Sequence, residues 1–328
     1  MSLKRRTTLA GGLAAGFVLA ATASAKAQAG YPEKPIRLIV PFAPGGNADL
    51  TGRLYAEALP RQLGQQVIVE NKGGAGGAIG AEAASQSPPD GYTVVLGSTG
   101  TFLVSPRMTG GKPPYTLDSF APVALLNTSP MDIVVNANGP YKDWPSMLAA
   151  LKARPGTVTI GHPGNGSTNH LALLQLQKAL GVKFNIVPYK SNGPALNDLL
   201  AGQIDAVIDQ IPASIGHIRN GRLRAIAVTT DKRSPQLADV PTLAEMGVKD
   251  FSATTPLYLM APAGTPPAVV KKLNEAVVAT ATDPAFREKM AGLGAETQAL
   301  GVDPLIAILR ADDKMIADLQ ATGLLKVE

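Results

Sequence analysis

The feature that most constrains this chain is a strand that ends in glycines and restarts as a helix. Ile36-Arg37-Leu38-Ile39-Val40 reads as a strand and runs straight into Pro41-Phe42-Ala43-Pro44-Gly45-Gly46-Asn47-Ala48-Asp49. A tight turn with a helix behind it makes backbone N–H groups converge where an anion can sit.

Strand and helix signals alternate through the rest of the chain. Strand-like runs are Val67–Val69, Thr93–Leu96, Met131–Val135, Thr157–Ile160, Asn185–Pro188, Ala206–Ile208, Arg224–Thr229 and Leu257–Met260. Helical stretches are Asp49–Leu63, Ala75–Ala84, Trp144–Ala153, Ser167–Leu180, Gly193–Ala201, Ile211–Asn220 and Leu243–Met246, with longer ones at Pro266–Thr280, Pro284–Leu293 and Asp303–Thr322. This rhythm predicts an α/β fold with mostly parallel sheets. Pro60, inside the first helical pattern, is expected to kink or end it. Two regions, Asn127–Pro130 and Asp250–Pro256, are candidate crossings between lobes. The expected division is 30–127 with 254–328 as one lobe and 128–253 as the other, and two crossings permit hinge closure over a ligand.

The front of the chain reads as an export signal over 1–29: Lys4, Arg5 and Arg6, then a small-residue apolar run from Leu9 to Ala23, then two small-residue cut sites ending at Ala27 and Ala29. Cutting after Ala29 leaves 299 of the 328 residues, close to the size at which chains divide into two domains. The basic balance is largely a property of this leader. Removing its four basic residues leaves 26 Lys and Arg against 25 Asp and Glu, which argues against a nucleic-acid partner. No Cys is present, so thiol catalysis, disulfides and N-terminal lipidation are excluded, and His162, His170 and His217 are a poor set for zinc. The expected product is a soluble periplasmic protein.

Three glycine-rich segments are candidate cleft walls. The first is Pro44–Asp49. The second is Gly161-His162-Pro163-Gly164-Asn165-Gly166-Ser167-Thr168-Asn169-His170, where Ser167 or Thr168 either caps the following helix or donates to a ligand oxygen. The third is Gly97-Ser98-Thr99-Gly100-Thr101. Asp209-Gln210 lies near a strand end that can face the cleft, where the carboxylate would orient an amine or water rather than touch an acid, and Tyr189 shapes a lobe edge. No Gly-x-Ser-x-Gly elbow exists, and Gly73-Gly74-Ala75-Gly76-Gly77 lacks the spacing and the Gly-Lys-Ser/Thr of nucleotide loops. Ser167 with His170 is the best nucleophile–base pair on offer for a hydrolase, and it lacks an orienting acid.

A set of motifs then carries a family resemblance. They are Tyr31-Pro32, Val40-Pro41-Phe42-Ala43-Pro44-Gly45-Gly46, Val69-Glu70-Asn71-Lys72, Pro89-Asp90-Gly91-Tyr92, Pro188-Tyr189-Lys190, Asp239-Val240-Pro241-Thr242 and Ala261-Pro262-Ala263-Gly264-Thr265-Pro266. Together they resemble the periplasmic solute-binding proteins of tripartite tricarboxylate transporters, the Bug family. The resemblance implies a two-lobed periplasmic binding protein of type II, a Venus flytrap without catalytic residues, metal or cofactor. It implies a monomer that captures a small organic acid, aliphatic or aromatic, and passes it to membrane transporter subunits. A sensor subunit for a membrane receptor would share the fold. The implied ligand-binding residues are Gly45, Gly46, Asn47, Ala48 and Asp49, with Asn165, Gly166, Ser167 and Thr168. Phe42, Pro44, Ser98, Thr99, Thr101, Tyr189 and Asp209 complete the expected site. Asp49 is expected to cap or to act through water, because a bare carboxylate repels an anion. Ala48 stands where the family often has a hydroxyl, and Ser191 where it usually has Gly after Tyr-Lys.

Overall fold

The computed structural model describes residues 30–108, 113–249, 251–321, 323 and 325; the expected leader lies outside them. In chain order the elements are β1 (Ile36–Val40), α1 (Asn47–Ala58), α2 (Pro60–Leu63), β2 (Val67–Asn71), α3 (Ala78–Ser85), β3 (Thr93–Ser98), β4 (Phe120–Asn136), α4 (Trp144–Ala153), β5 (Thr159–His162), α5 (Thr168–Leu180) and β6 (Asn185–Pro188). They continue with α6 (Asn192–Leu200), β7 (Ala206–Gln210), α7 (Ile211–Arg219), β8 (Leu223–Val228), β9 (Thr254–Pro262), α8 (Pro267–Thr282), α9 (Pro284–Gly292), β10 (Glu296–Thr297) and α10 (Val302–Ala321).

The strands form a mixed sheet, which corrects the expectation of mostly parallel pairing. β1 pairs in parallel with β2 and β3, and β5 pairs in parallel with β6 and β7. β9 is antiparallel to β3 and β4, and β4 is antiparallel to β7, β8 and β10 as well. The source of the difference is β4, a strand of 17 residues whose middle, Asn127–Pro130, reads as a boundary in sequence. Pro122, Asn127 and Pro130 interrupt any alternation there. Their irregularity is absorbed by register shifts between Pro122 and Ala124 and between Leu125 and Asn127, the bulged positions where a strand tolerates proline.

β4 also changes partners along its length. Phe120 to Pro130 pair with β9, and Met131 to Val135 pair with β7. The exchange falls at Pro130, a residue with no N–H to give to a ladder. Buried apolar side chains cluster accordingly. Leu38, Val40, Tyr55, Leu96, Leu126 and Leu259 pack on one face of the first group of strands, and Ile39, Val95, Phe102, Met260 and Leu309 on the other. Met131, Ile133, Trp144, Ile160 and Leu173 cover one face of the second group, and Val134, Leu196, Val207 and Ile215 the other. Strands buried on both faces carry near-continuous apolar runs, which is what made β1, β3 and β7 readable.

Pro60 divides the first helical pattern as expected: α1 ends at Ala58 and α2 restarts with Pro60 at its first position. The expected helix over Leu243–Met246 is a series of turns. Thr242 Oγ1 accepts from Glu245 N at 3.0 Å and Glu245 Oε2 accepts from Thr242 N at 2.7 Å, but Gly247, with φ +89°, ends the segment before a helical run begins. Phe102 is fully buried and meets Phe120 edge-on at 5.1 Å.

Candidate functional site

Four helices begin at one cavity. Gly46 precedes α1, Ser167 precedes α5, Ser191 precedes α6 and Gln210 precedes α7, and all four N-cap residues line the same cavity. Each helix start carries backbone N–H groups with no carbonyl partner in its own helix and about half a positive charge. The lining adds Phe42, Asn47, Ala48, Ser98, Pro163, Thr168, Asn169, Asn192, Thr255 and Leu257. None of these side chains is charged, so the attraction for an anion comes from the backbone. The space measures about 30 Å³, enough for about one or two waters.

The N-caps differ in what they leave over. Ser167 Oγ accepts from His170 N at 3.1 Å and Ser191 Oγ accepts from Gly193 N at 3.2 Å, so each serine satisfies one donor of its helix. Gly46 has no side chain to do this, and the first bond within α1 is Leu50 N to Gly46 O at 3.0 Å. The N–H groups of Asn47 and Ala48 therefore stay available beside the cavity. Ala48 removes a hydroxyl but not its backbone donor.

Asp49 shapes this loop from behind. Its carboxylate accepts from Gly45 N at 3.0 Å, from Arg53 Nε at 3.0 Å and from Asn71 Nδ2 at 2.9 Å. Burial works against its charge, yet these donors hold its carboxyl below the usual carboxylate range. It is absent from the cavity lining, as are Pro44 and Gly45.

Thr168 is where the two groups of strands meet. Its hydroxyl donates to Ser98 Oγ at 3.0 Å and accepts from Gly100 N at 3.2 Å. Ala43 N donates to Lys190 O at 3.1 Å, and Gln210 Nε2 donates to Thr255 Oγ1 at 2.9 Å, across the same line. At Gly100 a Cβ would sit 2.3 Å from Thr168 N, so this approach requires glycine.

Of the expected residues, Phe42, Gly46, Asn47, Ala48, Ser98, Ser167 and Thr168 come together in the cavity. The others lie elsewhere for identifiable reasons. Thr99 Oγ1 turns toward the Tyr258 hydroxyl at 3.4 Å and Asp312 at 3.3 Å. Thr101 is buried against Ser98, and Gly166 packs on Ser105. Asn165 and Tyr189 line a larger outer groove of about 850 Å³, with Lys190 beside them. The Tyr189 hydroxyl donates to Asp198 at 2.8 Å, and burial with that carboxylate pushes it up to about 12. Asp209 is fully buried behind Asn192. Pro163, Asn169 and Gln210 lie within segments that the sequence marks as facing a cleft, whereas Ser191, Asn192, Thr255 and Leu257 were missed as lining residues. Ser191 and Gln210 carried a usable signal, since each opens a helix shortly after a strand as Gly46 and Ser167 do, at the carboxyl edge where such sheets bind ligands. Thr255 and Leu257 enter only through the antiparallel insertion of β9.

Ser167 and His170 do not form a nucleophile–base arrangement. Ser167 Oγ is engaged by the backbone of His170, while His170 Nδ1 accepts from Gly166 N at 3.2 Å and its ring stacks on His162 at 4.8 Å. Burial, and then the neighbouring His170, push His162 down to about 3, so it is neutral at physiological pH.

The family model described as "TctC: Tripartite tricarboxylate transporter family receptor" matches residues 51–312. Protein BugT of Bordetella pertussis is 39% identical over 266 residues, covering 81% of this chain and 82% of that protein. The structure of the periplasmic binding protein BugD superposes with a TM-score of 0.85 at 36% identity, covering 90% of this chain and all of BugD. MatC of Rhodopseudomonas palustris, solved with bound malate, superposes with a TM-score of 0.83 at 30% identity, again over 90% of this chain and 100% of that one.

Proposed function

The chain belongs to the tripartite tricarboxylate transporter receptor family, the TctC or Bug solute-binding proteins, and from that premise we propose that its cavity captures a small organic carboxylate for delivery to the membrane subunits of such a transporter. Proteins of this kind are periplasmic transport components that bind and release without chemistry. The observation that carries the ligand class is the convergence of four helix N-termini on a cavity with no charged side chain. Oriented N–H groups in a water-poor space stabilise a carboxylate without a counter-ion. The malate in MatC is an acid of the same class.

Capture requires the walls to part. A space of about 30 Å³ holds about one or two waters, less than any carboxylate with a carbon chain. The proposed motion is a Venus-flytrap opening between lobe 1, residues 30–127 and 254–328, and lobe 2, residues 128–253. The partner exchange of β4 at Pro130 supports this division. The bonds from Thr168 to Ser98 and Gly100, and from Ala43 to Lys190, would open with it. A monomer exported by a cleavable leader is the form in which we expect it to work.

The test is thermal unfolding of the protein lacking 1–29 against mono-, di- and tricarboxylates, aromatic acids and amino acids. A ligand bound only by the folded state raises the midpoint. A shift confined to organic acids, with the acid recovered unchanged, is the expected result. If no acid shifts the midpoint and denaturing extraction releases none, the carboxylate site is wrong.

A further inference from the structure

Asn47 and Asn192 both line the cavity, and each has one buried side-chain atom with no hydrogen-bond partner. The two atoms are of opposite kind: Asn47 Nδ2 is a donor and Asn192 Oδ1 is an acceptor. The residues are 4% and 2% exposed, so water outside does not satisfy them.

Neighbouring groups decide which end of each amide is left over. Asn127 Nδ2 donates to Ser129 Oγ at 2.9 Å, and the Ser129 proton then goes to Asn47 Oδ1 at 3.4 Å. That holds the Asn47 oxygen away and leaves its N–H₂ group. The constraint on Asn192 is stronger. Its Nδ2 donates to Asp209 Oδ1, to Gln210 Oε1 at 3.3 Å and to Ile208 O at 3.3 Å. All three are acceptors. Turning the amide over would press its oxygen against a buried carboxyl, so the side chain presents its carbonyl oxygen.

A carboxylate answers the helix N–H groups and Asn47 Nδ2, but it offers nothing to Asn192 Oδ1. That atom needs a donor. Building on the organic-acid reading above, we infer that the ligand carries a hydroxyl beside its carboxylate: it is a hydroxy acid whose O–H donates to Asn192 Oδ1. An ammonium group also donates, but no acidic side chain lines the cavity and four positive helix ends surround it, so a cation is desolvated there without a counter-charge.

Calorimetric titration of the protein lacking 1–29 with matched acids decides this. The sets are malate, succinate and aspartate; lactate, propionate and alanine; mandelate, phenylacetate and phenylglycine. In at least one set the hydroxy acid is expected to bind roughly tenfold or more tightly than its deoxy and amino counterparts, because a site built to accept a hydrogen bond rejects the analogue lacking it. Asn192→Ala should abolish the preference for the hydroxy acid over its deoxy counterpart, read as the ratio of the two affinities in the same variant; the wild-type ranking stands without this variant. Equal binding of hydroxy and deoxy acids overturns the inference and leaves the carboxylate reading intact, as does a ranking led by the amino acid. Binding by no member of any set overturns both.

Discussion

Asp132 and Asp209 stand directly opposite one another on β4 and β7, both with no solvent exposure. Ser214 donates to Asp132 Oδ2 at 2.8 Å and Asn192 donates to Asp209 Oδ1, while Asp132 Oδ1 and Asp209 Oδ2 have no partner. Two buried carboxyls facing one another across a strand pair cannot both ionise, so the pair keeps a proton. The titratable and charged side chains on the elements packed around the pair are engaged or turned elsewhere. Asp198 accepts from Tyr189, Arg219 bonds Gln236 and the Gly292 carbonyl, Arg224 is exposed, and His217 lies beside Arg222.

The pair makes stability depend on pH. Burial pushes Asp132 up to about 7, and burial, with the charge of Asp132, raises Asp209 as well. The folded protein thus keeps a proton that the unfolded chain gives up near its ordinary value of 3.8. This contribution is complete below that pH and is lost as pH rises toward and through 7. Thermal melts from pH 5 to 8 should show a falling midpoint in the wild type. Asp132→Asn, whose amide donates to Asp209 in place of the proton, should flatten the curve. Parallel curves for the two proteins would remove the retained proton.

Asp49 acts in the opposite pH range and on the loop itself. Its lowered carboxyl gives stability that is present at neutral pH and lost as pH falls below about 4. Asp49→Ala leaves the Gly45 amide and Asn71 without their acceptor and should cost about 1–3 kcal/mol in denaturant unfolding, together with weakened acid binding. Arg53→Ala should cost less, because half of the Arg53 side chain is in solvent. Equal losses for the two variants would show that Asp49 works only as an ion-pair partner.

Gly100 reports on closure. A methyl group there meets Thr168 N at 2.3 Å, across the line where the lobes are proposed to part. Gly100→Ala should leave the unliganded fold intact and weaken acid binding by about tenfold or more, since it removes a populated closed form. Calorimetry and a melt of the free protein check both halves. Unchanged affinity would mean that ligand is held without this contact.

An anion held by backbone N–H groups inside a closed space should feel salt weakly. Buried interactions are poorly screened, whereas a lysine-lined surface site loses affinity over a Debye length of about 8–10 Å at ordinary ionic strength. Raising NaCl from about 50 mM to about 500 mM is expected to change Kd by less than about threefold. A steep salt dependence would transfer the binding role to an exposed cation, with Lys190 in the outer groove the first suspect.

Much of this molecule was legible in its residues. Apolar runs buried on both faces marked β1, β3 and β7, Pro60 marked the break between α1 and α2, and a glycine or serine after a strand marked the starts of α1 and α5. Those are local signals, carried by backbone preference and side-chain period, and they survive without knowledge of the fold. They marked Gly46, Asn47, Ala48, Ser167 and Thr168, which the fold brings to one cavity. The path of β4 was not legible, because its bulges at Pro122 and Leu125–Asn127 make sense only against β9, a strand more than a hundred residues away. Nor was it visible that Asp132 would meet Asp209, or that Asp209 would turn the amide of Asn192. Strand register and helix docking set those contacts, and they place side chains from distant segments within hydrogen-bonding distance. The chain thus determined by itself where strands give way to helix starts suited to an anion; the tertiary structure decided which of those starts share one cavity and which side-chain donors and acceptors remain beside them.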